Sequence, residues 1–243
     1  MLPDATDLVL TGRDCDALAA LARELTRPGR RIEIVPADLA TDAGREAVIA
    51  AGEQAGVDLL VNNAGLGFFG PVHRNAAVDE RTMVEVNVTA PVVLTRALLP
   101  GMIQRAEAGG GRRAGVILVS SISAFVPVGR LATYAATKAF KLHYAQSLAA
   151  DLAGLPVDVL ALCPGFTATK FGERSGMKPW MFHRAATPED VARAGLAGLG
   201  RRPLVTVGSG AVLAPLAQRF LPRRLMAASV VAAMKMLKKR SGA

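Results

Sequence analysis

Short apolar runs recur along the chain and alternate with longer segments in which the apolar positions follow a helical period. The short runs are rich in Val, Ile and Leu, which favours strands. They read DLVLT (7–11), RIEIVPA (31–37), VDLLVN (57–62), GVILVS (115–120), PVDVLALC (156–163) and LVTV (204–207). Because they are apolar throughout rather than alternating, the pattern predicts strands that are buried on both faces, as in a parallel sheet.

The longer segments predict helices over 14–25, 79–106, 132–154 and 187–200. In the last of these, Thr187 is the expected N-cap, Pro188 the first helical residue and Asp190 the partner in a capping box. Strands that alternate with helices predict a doubly wound, Rossmann-like parallel α/β sheet in a single domain.

A chain of 243 residues fits one such domain with a sizeable core. Cys15 and Cys163 are far apart and the three histidines share no metal-ligand spacing, so we predict a reducing, cytoplasmic location and no metal site. The first residues lack a basic segment followed by an apolar run, so we predict no signal peptide. No uncharged apolar run approaches the length of a membrane span.

The net charge of +9 is confined to the C-terminal part of the chain. Residues 201–243 hold nine Lys or Arg and no acid, so residues 1–200 are balanced, which argues against a nucleic-acid-binding body. We therefore separate a domain, 1–207, from a tail, 208–243. Residues 221–243 form a basic amphipathic pattern that is typical of peripheral membrane attachment, and packing over a substrate pocket or a subunit contact is the alternative.

Residues 65–70, GLGFFG, match the dinucleotide-binding pattern G-x-G-x-x-G. A working phosphate turn opens directly into a helix, but Pro71 follows here and no helical period begins before about residue 79. The match also follows the third visible strand rather than the first. We predict that GLGFFG is a loop and not the phosphate turn.

Five other motifs occur in a consistent order: NNAG (62–65), VNVTAP (86–91), VSS (119–121), YAATK (134–138) and PGFTAT (164–169). In these motifs the chain resembles the short-chain dehydrogenase/reductase family, and the resemblance runs from about residue 7 to 207. It implies an oxidoreductase that interconverts a carbonyl and an alcohol on a small molecule, with a nicotinamide cofactor as the hydride carrier.

Tyr134 and Lys138 lie four residues apart on a predicted helix and therefore share a face. A free phenol has a pKa of about 10, and a nearby ammonium is expected to lower the pKa of Tyr134 so that it can exchange a proton with the substrate oxygen. The resemblance implies that Ser121 bonds the same oxygen and that Asn87 interrupts its helix and holds a water of a proton relay. Ser120 and Ser123 are expected to be structural.

The resemblance also implies the choice of cofactor. NAD-preferring relatives carry an acid where this chain has Gly12, and the following Arg13 suits the 2′-phosphate of NADP(H), although an ordinary surface charge is the alternative. Asp38 matches an adenine-contacting Asp, or it caps the next helix. The other residues that the resemblance assigns to the cofactor are Asn63, Ala64, Gly65, Tyr134, Lys138, Pro164, Gly165 and Thr169.

Apolar bulk is concentrated in residues 166–184, where relatives build a substrate lid. These residues are Phe166, Phe171, Met177, Trp180, Met181 and Phe182. They favour an apolar ketone or alcohol as substrate. The alternative is that some of them pack on the domain or on a neighbouring subunit, since relatives of this kind are expected to be homo-oligomers.

The family's phosphate turn, T-G-x-x-x-G-x-G, and the strand before it have no counterpart in residues 1–11. We expect that the coding sequence starts upstream, and that without this strand two neighbours lose ladder hydrogen bonds and the core opens. The competing hypothesis is a non-catalytic remnant without a cofactor, which acts as an interaction or membrane-surface protein.

Overall fold

The computed structural model describes residues 6–177 and 185–208. The strands are β1 (Leu8–Gly12), β2 (Ile32–Pro36), β3 (Leu59–Asn62), β4 (Ala114–Val119), β5 (Val157–Pro164) and β6 (Leu204–Val207). The helices are α1 (Cys15–Leu25), α2 (Asp42–Ala55), α3 (Ala77–Val84), α4 (Ala90–Ala108), α5 (Ala132–Asp151), α6 (Phe171–Arg174) and α7 (Pro188–Gly198). A π-helical turn, Glu85–Thr89, joins α3 to α4.

The six predicted strands and four predicted helices are confirmed, but the predicted helix 79–106 is divided by the π-helical turn. Thr187 caps α7 as predicted, because its hydroxyl accepts from the amide of Asp190 at 3.1 Å. Helix α2 was not predicted; it begins after the N-cap Thr41 and ends at the C-cap Gly56, which is left-handed with φ of +60°. The short α6 was not predicted either.

All paired strands run parallel, as predicted, but the sheet is in two pieces. β1 pairs with β2, and β3, β4, β5 and β6 pair in that order. Within the described residues, β1 and β3 therefore each keep one unpaired edge. Thr11 and Gly12 of β1 line the same cavity as Leu59 and Val61 of β3. The expectation that two strands would lack a neighbour is confirmed, and we refer to the space between them as the β1–β3 gap.

Burial follows this division of the sheet. All six residues of β4 are buried, whereas Val61 in β3 is 47% exposed and Ile34 in β2 is 36% exposed. The prediction that the strands are buried on both faces is therefore correct for β4 and wrong for the strands near the gap. An apolar side chain beside an unpaired strand edge has no neighbouring strand to cover it.

The core lies on both faces of β4 and β5. On β4, Val116 and Leu118 pack against α4 and α5, whereas Ile117 and Val119 on the other face pack near α7. The helical segment Ala77–Ala108 is long and apolar enough to cross a membrane by length and composition alone. Its residues Leu98 and Met102 are buried in this core, as expected for a core helix.

Candidate active site

A cavity of about 1580 Å³ opens at the carboxyl ends of the strands, where ligands bind in open α/β sheets. Every site residue predicted from the sequence lines it except Asn87. The residues concerned are Arg13, Asp38, Asn63, Ala64, Gly65, Ser121, Tyr134, Lys138, Pro164, Gly165 and Thr169. Parallel strands end at one edge of a sheet, so loops that are distant in sequence meet here.

The first turns of α5 bring Tyr134 and Lys138 to the cavity wall. Both residues are largely buried, with 8% and 4% of their surface exposed. The Nζ atom of Lys138 lies 5.5 Å from the centre of the Tyr134 ring and donates to the carbonyl oxygen of Val119 at 3.1 Å. The shared face predicted from their spacing is therefore confirmed.

Burial sets the protonation of this pair. It raises the pKa of Tyr134 to about 12, and hydrogen bonds with Ser121 and Ser123 act in the opposite direction. Burial also lowers the pKa of Lys138 to about 8. The expectation that the pKa of Tyr134 is lowered overall is wrong for this arrangement, because the removal of the phenol from water outweighs the opposing hydrogen bonds.

The serines after β4 have different tasks. Ser121 accepts from both the amide and the hydroxyl of Ser123, at 3.2 and 2.8 Å, so the two hydroxyls form a pair at the cavity. Ser120 donates to the carbonyl oxygen of Lys138 at 2.6 Å, which ties β4 to α5, as expected of a structural residue. Ser120 and Ser123 both line the cavity, so the expectation that they are only structural was incomplete, above all for Ser123, whose hydroxyl bonds that of Ser121.

Asn87 lies in the π-helical turn and is fully buried behind the cavity. Its Oδ1 accepts from the amide of Leu66 at 2.8 Å, and its Nδ2 donates to the carbonyl oxygen of Leu66 at 2.9 Å. Nδ2 also donates to the hydroxyl of Thr137, one residue before Lys138. The predicted local interruption of the helix is confirmed, and Asn87 connects α5 to the turn after β3.

Arg13 lines the cavity between the end of β1 and the start of α1. Its side chain is exposed and forms no ion pair with a residue in the described ranges. Asp38 accepts from the amide of Ala40 at 3.0 Å, and α2 is capped by Thr41 instead. The alternative that Asp38 caps the next helix is therefore wrong.

The described part of the lid packs around Tyr134. Phe166, Phe171 and Met177 join Tyr134 in one apolar cluster, and the rings of Phe171 and Tyr134 lie 5.5 Å apart. A Cβ atom on Gly67 would lie 2.8 Å from the ring of Phe171, so a larger residue here would displace that ring. GLGFFG is thus a loop in the cavity wall, as predicted. The other predicted lid residues and the tail after Gly208 lie outside the described residues; the lid residues concerned are Trp180, Met181 and Phe182.

Comparison with known proteins agrees with this geometry. The family model described as short chain dehydrogenase matches residues 2–179. The NADP-dependent 3-hydroxy acid dehydrogenase of Shigella flexneri is 33% identical over 198 residues, which cover 77% of this chain and 76% of the relative. The 1-deoxy-11-beta-hydroxypentalenate dehydrogenase of Streptomyces exfoliatus is 40% identical over 163 residues, 65% of this chain and 57% of that one.

Solved structures give the same result. A short-chain dehydrogenase from Sphingobium yanoikuyae in complex with NADPH superposes with a TM-score of 0.74 at 29% identity, covering 83% of this chain and 77% of that chain. L-sorbose reductase from Gluconobacter frateurii, complexed with NADPH and L-sorbose, gives a TM-score of 0.71 at 27% identity. The match covers 85% of this chain and 87% of that chain. With its motifs gathered around one cavity, the chain belongs to the short-chain dehydrogenase/reductase family.

Proposed function

We propose that the protein is an NADP(H)-dependent oxidoreductase that interconverts a carbonyl and an alcohol on a small apolar substrate. One observation carries the proposal: a single cavity joins the exposed residue Arg13 to Ser121 and the buried pair Tyr134 and Lys138. The NADP dependence of the Shigella relative and the NADPH complexes of the two solved structures support the same cofactor.

The lining of the cavity suits this cofactor in size and chemistry. Its volume, which includes the β1–β3 gap, exceeds the roughly 300–1,000 Å³ of a site for one drug-sized ligand. Arg13 would hold the 2′-phosphate, Asp38 the adenine, and Asn63, Ala64 and Gly65 the middle of the cofactor. A Cβ atom on Gly65 would lie 3.2 Å from Nζ of Lys138, a tight contact, so a side chain here would narrow this passage.

When bound, the cofactor supplies or accepts the hydride. The protein's own residues handle the proton. In the reducing direction, Tyr134 donates its phenolic proton to the carbonyl oxygen while Ser121 and Ser123 hydrogen-bond around that oxygen. The pKa of about 12 keeps Tyr134 protonated at neutral pH, which suits the role of an acid. In the oxidising direction, Tyr134 must lose that proton, and a charged Lys138 beside it favours the phenolate.

Apolar side chains around Tyr134 define the substrate end of the cavity. Phe166, Phe171 and Met177 pack beside the phenol. They offer contact area and no charge to a substrate, so we expect an apolar ketone or alcohol to bind in preference to a charged one.

Replacing Arg13 with Ala is expected to raise the dissociation constant for NADPH about tenfold, because a charge-assisted bond to a phosphate contributes about 1.5 kcal/mol. The dissociation constant for NADH is expected to stay within about twofold, since NADH has no 2′-phosphate. Fluorescence titration measures both constants. Arg112→Ala, in the exposed loop before β4, is the matched control and should change neither. If Arg13→Ala weakens NADPH and NADH binding equally, Arg13 does not bind the 2′-phosphate.

The rate of reduction is expected to fall as the pH rises above about 8, because Lys138 then loses the positive charge that favours the phenolate left on Tyr134. Lys138 is an amine whose pKa is lowered to about 8, so it is charged below that pH and neutral above it. A profile of kcat/KM from pH 6 to 10 measures the effect. Lys138→Arg keeps its charge throughout this range and should move the decline to higher pH. A flat profile up to pH 10 in the parent enzyme would show that the charge of Lys138 is not needed.

The second candidate function is the non-catalytic remnant. The unpaired edges of β1 and β3 favour it, since no glycine-rich turn in the described residues offers amides to the pyrophosphate. It predicts no nucleotide binding at any length of the chain. The intact Asn87, Ser121, Tyr134 and Lys138 favour the enzyme. Cytoplasmic location, homo-oligomerisation and membrane contact through the tail remain predictions.

A further inference from the structure

A second lysine is buried behind the active site. Lys141 lies on α5 one helical turn after Lys138 and has no exposed surface at all. Lysine is almost never fully buried without a partner that compensates its charge or its donors. Among the described residues, no carboxylate lies within ion-pair distance of Lys141. The proposed mechanism does not use this residue.

The amine of Lys141 bonds the backbone of the turn that follows β3. Its Nζ donates to the carbonyl oxygen of Ala64 at 2.9 Å and reaches the carbonyl oxygen of Asn62 at 3.4 Å. These two acceptors lie on the helix side of the turn. On the other side, Asn63, Ala64 and Gly65 line the cavity. Lys141 therefore bonds the turn on the side away from the cavity, while the turn itself faces a ligand in the cavity.

Two other buried side chains hold the same turn. Nδ2 of Asn62 donates to the hydroxyl of Thr95 on α4 at 3.1 Å, and Asn87 bonds both the amide and the carbonyl of Leu66. The turn is thus fixed at its start by Thr95, in its middle by Lys141 and at its end by Asn87. Lys141 bonds the turn directly from α5, the helix that also carries Tyr134 and Lys138, whereas Asn87 connects the turn to α5 through Thr137.

We propose that Lys141 is a positioning residue that fixes the Asn62–Gly65 turn relative to Lys138 and so sets the shape of the cofactor passage. The passage is narrow at this point, because the space over Gly65 is bounded by Nζ of Lys138. A shift of the turn by a few tenths of an ångström would change the room left for the cofactor. The proposal rests on the proposed function, since it assigns the passage to NADP(H).

The electrostatics of the site are consistent with this role. Burial and the neighbouring charge of Lys138 hold the pKa of Lys141 well below its ordinary value. A neutral amine still donates two N–H bonds, enough for the two carbonyl oxygens. Lys141 can therefore hold the turn without placing a second positive charge beside Lys138. The other titratable groups near this pair are Tyr134 and Cys163, and neither is a carboxylate.

The test replaces Lys141 with Met in the full chain, which removes the amine but keeps a long apolar side chain. The dissociation constant for NADPH is expected to rise at least tenfold. Hydrogen exchange in the peptide that contains residues 62–66 is expected to become at least tenfold faster, without any nucleotide present. The exchange measurement does not depend on activity, so it tests Lys141 even if the parent chain binds no NADPH, a result that would count against the proposed function alone.

Met102→Ala is the matched control, because Met102 is equally buried but belongs to the core cluster beneath α4, which contains no residue of the turn. It should lower the melting temperature while leaving the NADPH dissociation constant within twofold and exchange in the 62–66 peptide unchanged. If Lys141→Met does not fold, Lys141→Gln is used, which keeps one donor and should weaken binding at least threefold. Exchange in the 62–66 peptide as slow as in the parent, in whichever variant folds, would overturn the proposal.

Discussion

The variant Tyr134→Phe is expected to lose ketone reduction by about 1,000-fold in kcat, within the range of 10²–10⁴ for the removal of a positioned general acid. The change removes one oxygen atom and keeps the ring that packs against Phe171. The fold and the lid cluster should therefore persist. The dissociation constant for NADPH should stay within about threefold, so that the loss falls on the chemical step.

Tyr144→Phe is the matched control for this experiment. Tyr144 lies on the same helix, and its ring stacks on Phe140 at 5.7 Å rather than lining the cavity. The loss of the Tyr144 hydroxyl should leave kcat within about twofold of the parent value. If Tyr134→Phe keeps more than about a tenth of the parent activity, another group must donate the proton, and Ser121 would be examined first.

Adding a parallel strand in the β1–β3 gap is expected to raise both the affinity for NADPH and the stability of the fold. If the codons upstream of Met1 encode a strand, a T-G-x-x-x-G-x-G turn and a helix, the extended chain should bind NADPH about 100-fold more tightly, or about 2.7 kcal/mol. The added strand would pair with the free edges of β1 and β3, and the first amides of its helix would hold the pyrophosphate. The melting temperature should rise as well, since new ladder bonds and apolar burial stabilise the fold.

Two variants separate these contributions. Replacing the glycines of the added turn with Ala should abolish the gain in affinity but keep most of the gain in stability. Val61→Asp should lower the free energy of unfolding little in the chain of 243 residues, where Val61 is half exposed. Once a strand covers Val61, the same change should lower it by about 2 kcal/mol or more. An extension that changes neither the affinity nor the cost of Val61→Asp would show that no strand enters the gap.

Most of the fold could be predicted from local patterns. Strands such as β4 and β5 are continuous apolar runs, and α7 carries its own end signals, so the sequence fixes these elements without reference to the rest of the chain. The site residues could be located because Asn87, Ser121 and Tyr134 occur in motifs of familiar order. Helix α2 was missed because five of its seven apolar residues are alanine, which gives a weak apolar pattern.

Other features depend on contacts that a local pattern does not encode. The pKa of Tyr134 follows from how deeply the lid and α5 bury the phenol, not from its spacing to Lys138. The role of Ser123 depends on the turn that places its hydroxyl 2.8 Å from that of Ser121. Lys141 could have been noticed, since it shares a helix face with Lys138, but a lysine on a helix is ordinarily exposed. Its burial becomes evident only when the turn after β3 is seen to pack upon it.

The most direct test of the account is a fluorescence titration of the chain of 243 residues with NADPH, with NADH as the comparison. We predict saturable binding of NADPH, at least tenfold tighter than that of NADH, because the 2′-phosphate would pair with Arg13 in the cavity lining. If neither nucleotide binds to this chain or to the extended chain, the protein is not an NADP(H)-dependent oxidoreductase, and the non-catalytic remnant takes its place.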